Sequence, residues 1–168
     1  MNMKNIYFLL LAISSSVFSQ TITIDNTTNT PAQLVDLLLV NSCVTVSNIA
    51  ISSNQSVAYF DNNGSSFPIS EGIVIRSGNV IDSQGIYTDT NLGSTTVNGG
   101  TDAFLQNLSN STSGTTGNLT DLAYLQFDFT SISTSFNFSF LFASNEYGQY
   151  QCLSNDIFAF ELEDLVSG

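Results

Sequence analysis

Carboxylates are the groups best able to do chemistry in this sequence, which has 14 acidic residues and no histidine. Without histidine, the Ser-His-Asp triad and histidine-based zinc sites are excluded. Two carboxylates about 5 to 10 Å apart can act as acid and base in glycoside hydrolysis. The candidates for such a pair are Glu71, Glu146, Asp156 and Glu161. Nothing in their spacing selects two of them, so a hydrolase is an alternative and not the leading hypothesis.

A calcium site is the second use for oxygen-bearing side chains. Asn145 and Glu146 precede one loop between two predicted strands, and Asn155 and Asp156 follow it. Their oxygens would converge on a hard cation, with Asp102 as a more distant ligand. The alternative is that these side chains cap turns and accept hydrogen bonds from the backbone. Both interpretations stay open at the level of sequence.

The first 19 residues have the pattern of a cleaved secretory signal peptide. Lys4 precedes the apolar run Ile6–Ile13, and small and polar residues then lead to Ser19. This is the usual order of a charged region, an apolar region and a cleavage site. The apolar run is much shorter than the roughly 20 residues of a transmembrane helix. We therefore expect an exported chain that begins at Gln20 and contains no transmembrane segment.

Removal of this leader leaves a strongly acidic chain. The net charge is −12 for the whole sequence and becomes −13 when Lys4 is lost, so that Arg76 is the remaining cation. Nucleic acids and anionic lipids are bound through Lys and Arg, so both are excluded as partners. A Ser-Lys dyad is excluded as well, because no lysine remains.

The two cysteines, Cys43 and Cys152, predict a disulfide. An even number of cysteines in an exported protein favours pairing over a metal site or a nucleophile. Closing so long a loop is worth roughly 4 to 5 kcal/mol in the chain-entropy model. Two buried free thiols are the alternative, since the sequence does not fix the distance between them.

The elements that must position these groups begin with one short helix. Thr30 is suited to the N-cap, Pro31 to the first helical position, and Gln33 completes a capping box. An apolar face then continues until Asn41, formed by Leu34, Val35, Leu37 and Leu38. We expect this to be the one clear helix, after a polar lead-in over residues 20–33.

From Cys43 onward, apolar residues recur with a period of two, which predicts strands. Three such strands are predicted at Val44–Val46, Val57–Phe60 and Leu122–Phe129. The run Gly72–Gly78 predicts a strand that is buried on both faces or leads into a tight bend. Residues 82–100 and 109–118 predict polar loops, separated by a helical turn that begins near Thr101.

Apolar residues occupy every second position in two segments near the end of the chain. All four are phenylalanine in Phe136–Phe142, and in Ile157–Leu162 they are Phe158, Phe160 and Leu162. This alternation predicts two strands, each with one buried face. We assign the rings to the core and not to a ligand-stacking surface. Several short strands and one capped helix together predict a mainly β fold, a jelly-roll or Greek-key-like β-sandwich.

A resemblance to a known family rests on three segments. The segment Phe136–Leu162, with its FASNEY and NDIFAF blocks, together with GIVIRSGNV at Gly72–Val80 and CVTVSNI at Cys43–Ile49, resembles the bacterial choice-of-anchor L domain. The resemblance extends from about Leu34 to the end of the chain. It implies one domain over 34–168 in an exported or cell-surface protein of the Bacteroidota type, often sorted by type IX secretion, with no defined catalytic activity.

Two positions depart from the family pattern, which often has an acidic residue where Asn145 stands and a proline where Gly148 stands. The chain also stops at Gly168 without an anchor region, which is expected of a piece of a longer protein. A missing C-terminal region would then attach the domain to the cell surface.

These observations predict a non-catalytic, secreted or cell-surface adhesion module, stabilised by calcium, that recognises a glycan or a protein. The NDIFAFEL stretch is similar to a strand of legume-type lectins in which an Asp at the position of Asp156 helps to contact sugar. A carboxylate-based glycoside hydrolase and a purely structural spacer in a large surface protein are the alternatives.

Overall fold

The computed structural model of the chain describes residues 21–40, 42–85, 95–97, 100–113, 117–132, 135, 137–144 and 156–166. Within these ranges it contains two antiparallel sheets and two short α-helices. The prediction of a mainly β fold is therefore confirmed, and the described strands form no closed barrel. The predicted signal peptide lies outside the described residues and stays a prediction.

The first helix, α1 (Pro31–Leu38), follows the predicted capping chemistry. The Thr30 hydroxyl accepts a hydrogen bond from the Gln33 backbone N–H, and the Gln33 side chain accepts one from the Thr30 backbone N–H at 2.8 Å. Leu34 and Val35 are buried, and the helix packs against strands β2 (Val44–Ile51) and β4 (Glu71–Ile75). The sequence signals for this helix were sufficient because they are local.

A three-stranded sheet contributes three of the six buried hydrophobic residues among the described ones. Its order is β1 (Thr23–Asp25), β3 (Val57–Asp61), β4, with β3 in the centre. Val57, Ala58 and Phe60 of the central strand are buried, as is Val80 in the 3₁₀ turn Val80–Ser83. The predicted strand at Val57–Phe60 is confirmed, with Asp61 added to its end.

Strand β4 confirms one half of the prediction for Gly72–Gly78 and corrects the other. The chain does turn sharply at Gly78, where φ is +99° and glycine is favoured. The strand is not buried on both faces, because the side chains of Glu71 and Ile75, which share one face, are exposed.

A two-stranded sheet pairs β2 with β5 (Leu125–Ser131). Val44 lies opposite Ser131 and Ile51 lies opposite Leu125, which confirms that both predicted strands exist. Their bounds differ from the prediction, because β2 continues past Val46 to Ile51 and β5 begins at Leu125 and not at Leu122. The register shifts between Ser47 and Ala50, where β2 has one extra residue relative to β5. Such a β-bulge bends the strand and changes the direction of the side chains beside it.

A second helix, α2 (Ala103–Ser113), contains the helical turn predicted near Thr101. It also continues through residues 109–113, where the sequence predicted the start of a polar loop. The Asp102 carboxylate accepts a hydrogen bond from the Leu105 backbone N–H at 2.9 Å and so caps the first turn. The hydroxyls of Ser111 and Thr112 both donate to the Leu108 carbonyl oxygen, so these polar side chains are bonded within the helix. The Gln106 side chain donates to the Gly117 carbonyl oxygen at 3.0 Å and accepts from the Leu119 backbone N–H at 2.8 Å, which joins the helix to the segment after it.

The two phenylalanine-rich segments are not strands in the structure. No strand is assigned within the described residues 137–144 and 156–166. The segments run in opposite directions, with Phe138 stacked on Phe160 at a ring-centroid distance of 4.6 Å and Phe140 beside Phe158 at 5.9 Å. The prediction of strands with a buried face is therefore wrong for the described part of these segments. The rings pack on each other, and each remains roughly half exposed.

Two further predictions concern the cysteines and the membrane. Cys43 is a free and exposed thiol just before β2, and Cys152 lies outside the described residues, so the predicted disulfide is not supported. Among the residues that the structure describes, none of the helices has the length and hydrophobicity needed to cross a membrane.

Candidate binding surface

The predicted calcium ligands are only partly within the described residues, since Asn145, Glu146 and Asn155 lie outside them. Asp102 caps α2, as the turn-capping alternative expects for this residue. Asp156 accepts a hydrogen bond from the Ser77 hydroxyl at 3.4 Å. Across the described ranges, no three His, Cys, Asp or Glu side chains are grouped so that they would hold a metal ion. Calcium binding at the loop between Asn145 and Asp156 therefore stays a prediction.

Carboxylates do gather on one face of the three-stranded sheet. Asp25 lies opposite Tyr59, and Asp61 lies opposite Glu71, so these four side chains share that face. The Tyr59 hydroxyl donates to Glu71 at 2.8 Å and is 3.4 Å from the Asp61 carboxylate. This hydroxyl lies between two like charges that would otherwise face each other across the strands.

The protonation behaviour of this face has clear causes. The hydrogen bond to Glu71, followed by desolvation and by the negative charges of Glu71 and Asp61, raises the pKa of Tyr59 to about 12. The pKa of Asp25 is lowered by its side-chain hydrogen bond to Thr28 and by the backbone N–H groups of Thr27 and Thr28. These carboxylates are bonded within the chain, so we assign them to stabilising turns and strand pairing.

A shallow groove of about 300 Å³ lies beside α1. It is lined by Asn29, Gln33, Asp36, Leu37 and Val40. The Gln33 carbonyl is already used in the capping box, and the lining contains no aromatic ring. The groove therefore has fewer groups available for recognition than the surface described next.

The outward face of the two-stranded sheet is polar, and we call it the polar platform. Side chains on one face of a strand recur every second residue, and cross-strand pairs lie on the same face. The platform is formed by Thr45, Ser47, Ala50 and Ser52 from β2 and its extension, and by Tyr124, Gln126, Asp128 and Thr130 from β5 and its extension. The Tyr124 carbonyl oxygen accepts from the Ser52 backbone N–H at 3.0 Å, which continues the ladder to that end.

The bulge in β2 sets the position of the one carboxylate on the platform. Asn48 adopts a left-handed conformation with φ of +50°, which is tolerated by Asn better than by most residues. Its side-chain amide donates a hydrogen bond to the Asp128 carboxylate on the opposite strand. Asp128 is half buried, and no other side-chain hydrogen bond to it is found among the described residues. The bulge thus holds Asp128 in place and leaves it with capacity to accept further hydrogen bonds.

The other platform groups face solvent. Tyr124 is 39% exposed, and Thr45, Ser47, Gln126 and Thr130 are exposed as well. Within the described part of the chain, the side chains of Ser47 and Gln126 make no hydrogen bond. Ala50 lies opposite Gln126 and has only a methyl side chain, so little side-chain bulk projects from the sheet at that point. The platform therefore presents an aromatic ring, an amide and a carboxylate that a ligand can reach.

Sequence reasoning predicted the strand Leu122–Phe129 but gave the polar side of its alternation no role. The signal was present, because Tyr124, Gln126 and Asp128 occupy every second position. The partner strand and its bulge carried no comparable signal. Nothing in the order of Ser47, Asn48 and Ile49 fixes which residue is the extra one, since that depends on the register with β5.

Comparison with known proteins identifies a family. The family model described as the choice-of-anchor L domain matches residues 23–168. No curated protein and no solved structure matches the chain.

Proposed function

The chain belongs to the choice-of-anchor L domain family, and from that premise we propose that it is a non-catalytic adhesion module that binds a glycan or a protein. The family is one of surface-associated or exported proteins. The observation that supports binding is the polar platform, whose Tyr124 ring and Gln126 amide are exposed and whose half-buried Asp128 carboxylate can accept further hydrogen bonds. Side chains on paired strands are held in more precise positions than side chains on loops, which suits recognition.

The arrangement of carboxylates favours binding over turnover. A glycoside hydrolase requires two carboxylates on either side of the scissile bond. The platform carries one carboxylate, Asp128, and it is bonded to Asn48. Glu71, one of the predicted catalytic candidates, is bonded to Tyr59 on a different sheet. Hydrolysis stays the alternative, and a structural spacer is the third hypothesis.

Two finer predictions belong to this proposal. Calcium would bind where the loop ligands Asn145, Glu146, Asn155 and Asp156 meet, and it would stabilise the region of the phenylalanine-rich segments that flank this loop. Sorting by type IX secretion and an origin in Bacteroidota are expectations from the family resemblance.

The proposal is tested with the purified chain, fluorescently labelled, on an array that carries neutral polysaccharides, anionic polysaccharides and extracellular matrix proteins. Saturable binding to at least one class, without release of reducing sugar from any bound polysaccharide, is the expected result. Release of reducing sugar would favour the hydrolase alternative. Absence of saturable binding to every class would contradict the proposal and favour the spacer.

A further inference from the structure

We infer that the polar platform binds a neutral polysaccharide, with Tyr124 stacking on a sugar ring and with Gln126 and Asp128 bonding its hydroxyl groups. The inference rests on the proposed binding function and names its ligand class. It is carried by the order of Tyr124, just before β5, and of Gln126 and Asp128 on the same face of β5.

The aromatic ring supplies the apolar contact. A pyranose ring has one or both faces lined by C–H groups, and these pack on an aromatic face through dispersion and weak C–H contacts. Tyr124 is held at the end of the ladder by two hydrogen bonds to Ser52, in which its carbonyl oxygen accepts at 3.0 Å and its N–H donates at 3.1 Å. Its ring is therefore presented on a fixed backbone, which reduces the entropy lost on binding.

The polar groups beside the ring match sugar hydroxyls. A hydroxyl both donates and accepts, so it pairs well with an amide, which does both, or with a carboxylate, which accepts strongly. Gln126 follows Tyr124 on the same face, and Asp128 follows Gln126, at steps of roughly 7 Å. Asn48 fixes the Asp128 carboxylate and is therefore a positioning residue.

Charge selects a neutral ligand. The whole chain has a net charge of −12, and Asp128 places a negative charge on the platform. Arg76 is bonded through its guanidinium to the Ser83 hydroxyl beyond the end of β4, so it is not on this face. Uronic acids, sulfated sugars and sialic acids would be repelled, since no cation on the platform compensates for their charge.

The length of the platform favours a chain of sugars over a single one. From Tyr124 to Thr130 the face extends over roughly 20 Å at about 3.4 Å per residue. The surface is open and has only small side chains in the facing row, where Ser47, Ala50 and Ser52 lie. An extended polymer can lie along such a face, whereas a monosaccharide would contact only one part of it.

The test is affinity electrophoresis of the full chain in gels that contain dextran, mannan or β-glucan as neutral probes, and alginate or heparin as anionic ones. We expect at least one neutral polymer to retard the chain and neither anionic polymer to do so. Tyr124→Ala should abolish the retardation, and Gln126→Ala and Asp128→Asn should each weaken it about tenfold. Tyr124→Phe should retain most of it, because the ring is kept.

Matched controls are Phe104→Ala, an exposed aromatic on α2, and Asp36→Asn, an exposed carboxylate on α1. Both should leave the retardation unchanged, and circular dichroism verifies that each variant is folded. Binding to a protein spot or an anionic polymer that Tyr124→Ala does not alter would overturn the inference while the proposed binding function stands. Failure to bind anything on the array would overturn both.

Discussion

The three-stranded sheet and the phenylalanine-rich segments are built from similar residues but are packed differently. In the sheet, Val57 and Phe60 of the central strand are buried, and Leu34 of α1, which packs against β4, is only 2% exposed. In the two segments, the five rings of Phe138, Phe140, Phe142, Phe158 and Phe160 are between 48% and 63% exposed. An alternating pattern thus specifies which side chains share a face, whereas burial depends on a second element that covers the face.

This difference predicts unequal effects of deleting a large side chain. Leu34→Ala leaves a cavity in a closed core and should lower the free energy of unfolding by about 2 to 5 kcal/mol. Phe140→Ala removes a ring that is 63% exposed and should cost less than about 1 kcal/mol. Urea denaturation followed by circular dichroism measures both. Equal losses would contradict the comparison, since they would place Phe140 in a packed core.

Calcium would sharpen the same comparison, because its predicted loop connects the two phenylalanine-rich segments. At calcium concentrations about 100-fold above Kd, binding to the folded state would add about 2.7 kcal/mol. Glu146→Gln and Asp156→Asn should therefore lower Tm in calcium and leave it unchanged in chelator. Differential scanning calorimetry measures this, with Asp36→Asn as the control. A wild-type Tm that is the same in calcium and in chelator would eliminate the site.

A further prediction concerns packing in the three-stranded sheet at Gly72, which lies opposite Phe60. A Cβ at this position would be 3.2 Å from the Phe60 ring, and that ring is held edge-on against Phe67 at 5.8 Å. Gly72→Ala should therefore destabilise the chain by about 1 to 3 kcal/mol. Gly117→Ala is the matched control, because nothing lies within 4 Å of its added Cβ. A neutral Gly72→Ala in urea denaturation would mean that Phe60 is free to move.

The smallest effect concerns protonation on the same sheet. The pKa of Tyr59 is about 12, above its unfolded value of about 10, so the protonated phenol is favoured in the folded state. Its contribution to stability is present below pH 10 and is lost as the pH rises through 12. Ultraviolet titration should find a tyrosine that ionises late. Glu71→Gln should lower its pKa, and Glu161→Gln should not; a late tyrosine unaffected by Glu71→Gln would contradict the assignment.

Local signals in the sequence were enough for part of this fold. The capping box of Thr30 and Gln33 fixed α1, and period-two alternation located β2, β3 and β5. The helix at Ala103–Ser113 was missed beyond its first turn, because the propensities of Ser and Thr oppose a helix and the bond from the Leu119 backbone N–H to the Gln106 side chain is not visible in a local pattern. The phenylalanine-rich segments were misassigned because the pattern does not reveal what covers a face.

The candidate site was also only partly predictable from the sequence. The alternation at Tyr124, Gln126 and Asp128 was visible in the sequence, but its significance depended on the strand beside it. The bonding of Asn48 to Asp128 joins residues 80 positions apart, which no local pattern specifies. The sequence pointed instead to the loop around Glu146, where oxygen-bearing residues are adjacent in the chain.

The most direct test of the proposed role is the Kd of the full chain for a neutral polysaccharide, measured by isothermal titration calorimetry for the wild type, Tyr124→Ala and Phe104→Ala. We predict that Tyr124→Ala abolishes the binding heat and that Phe104→Ala leaves Kd unchanged. A wild-type Kd that Tyr124→Ala preserves would contradict the assignment of the polar platform as the binding surface.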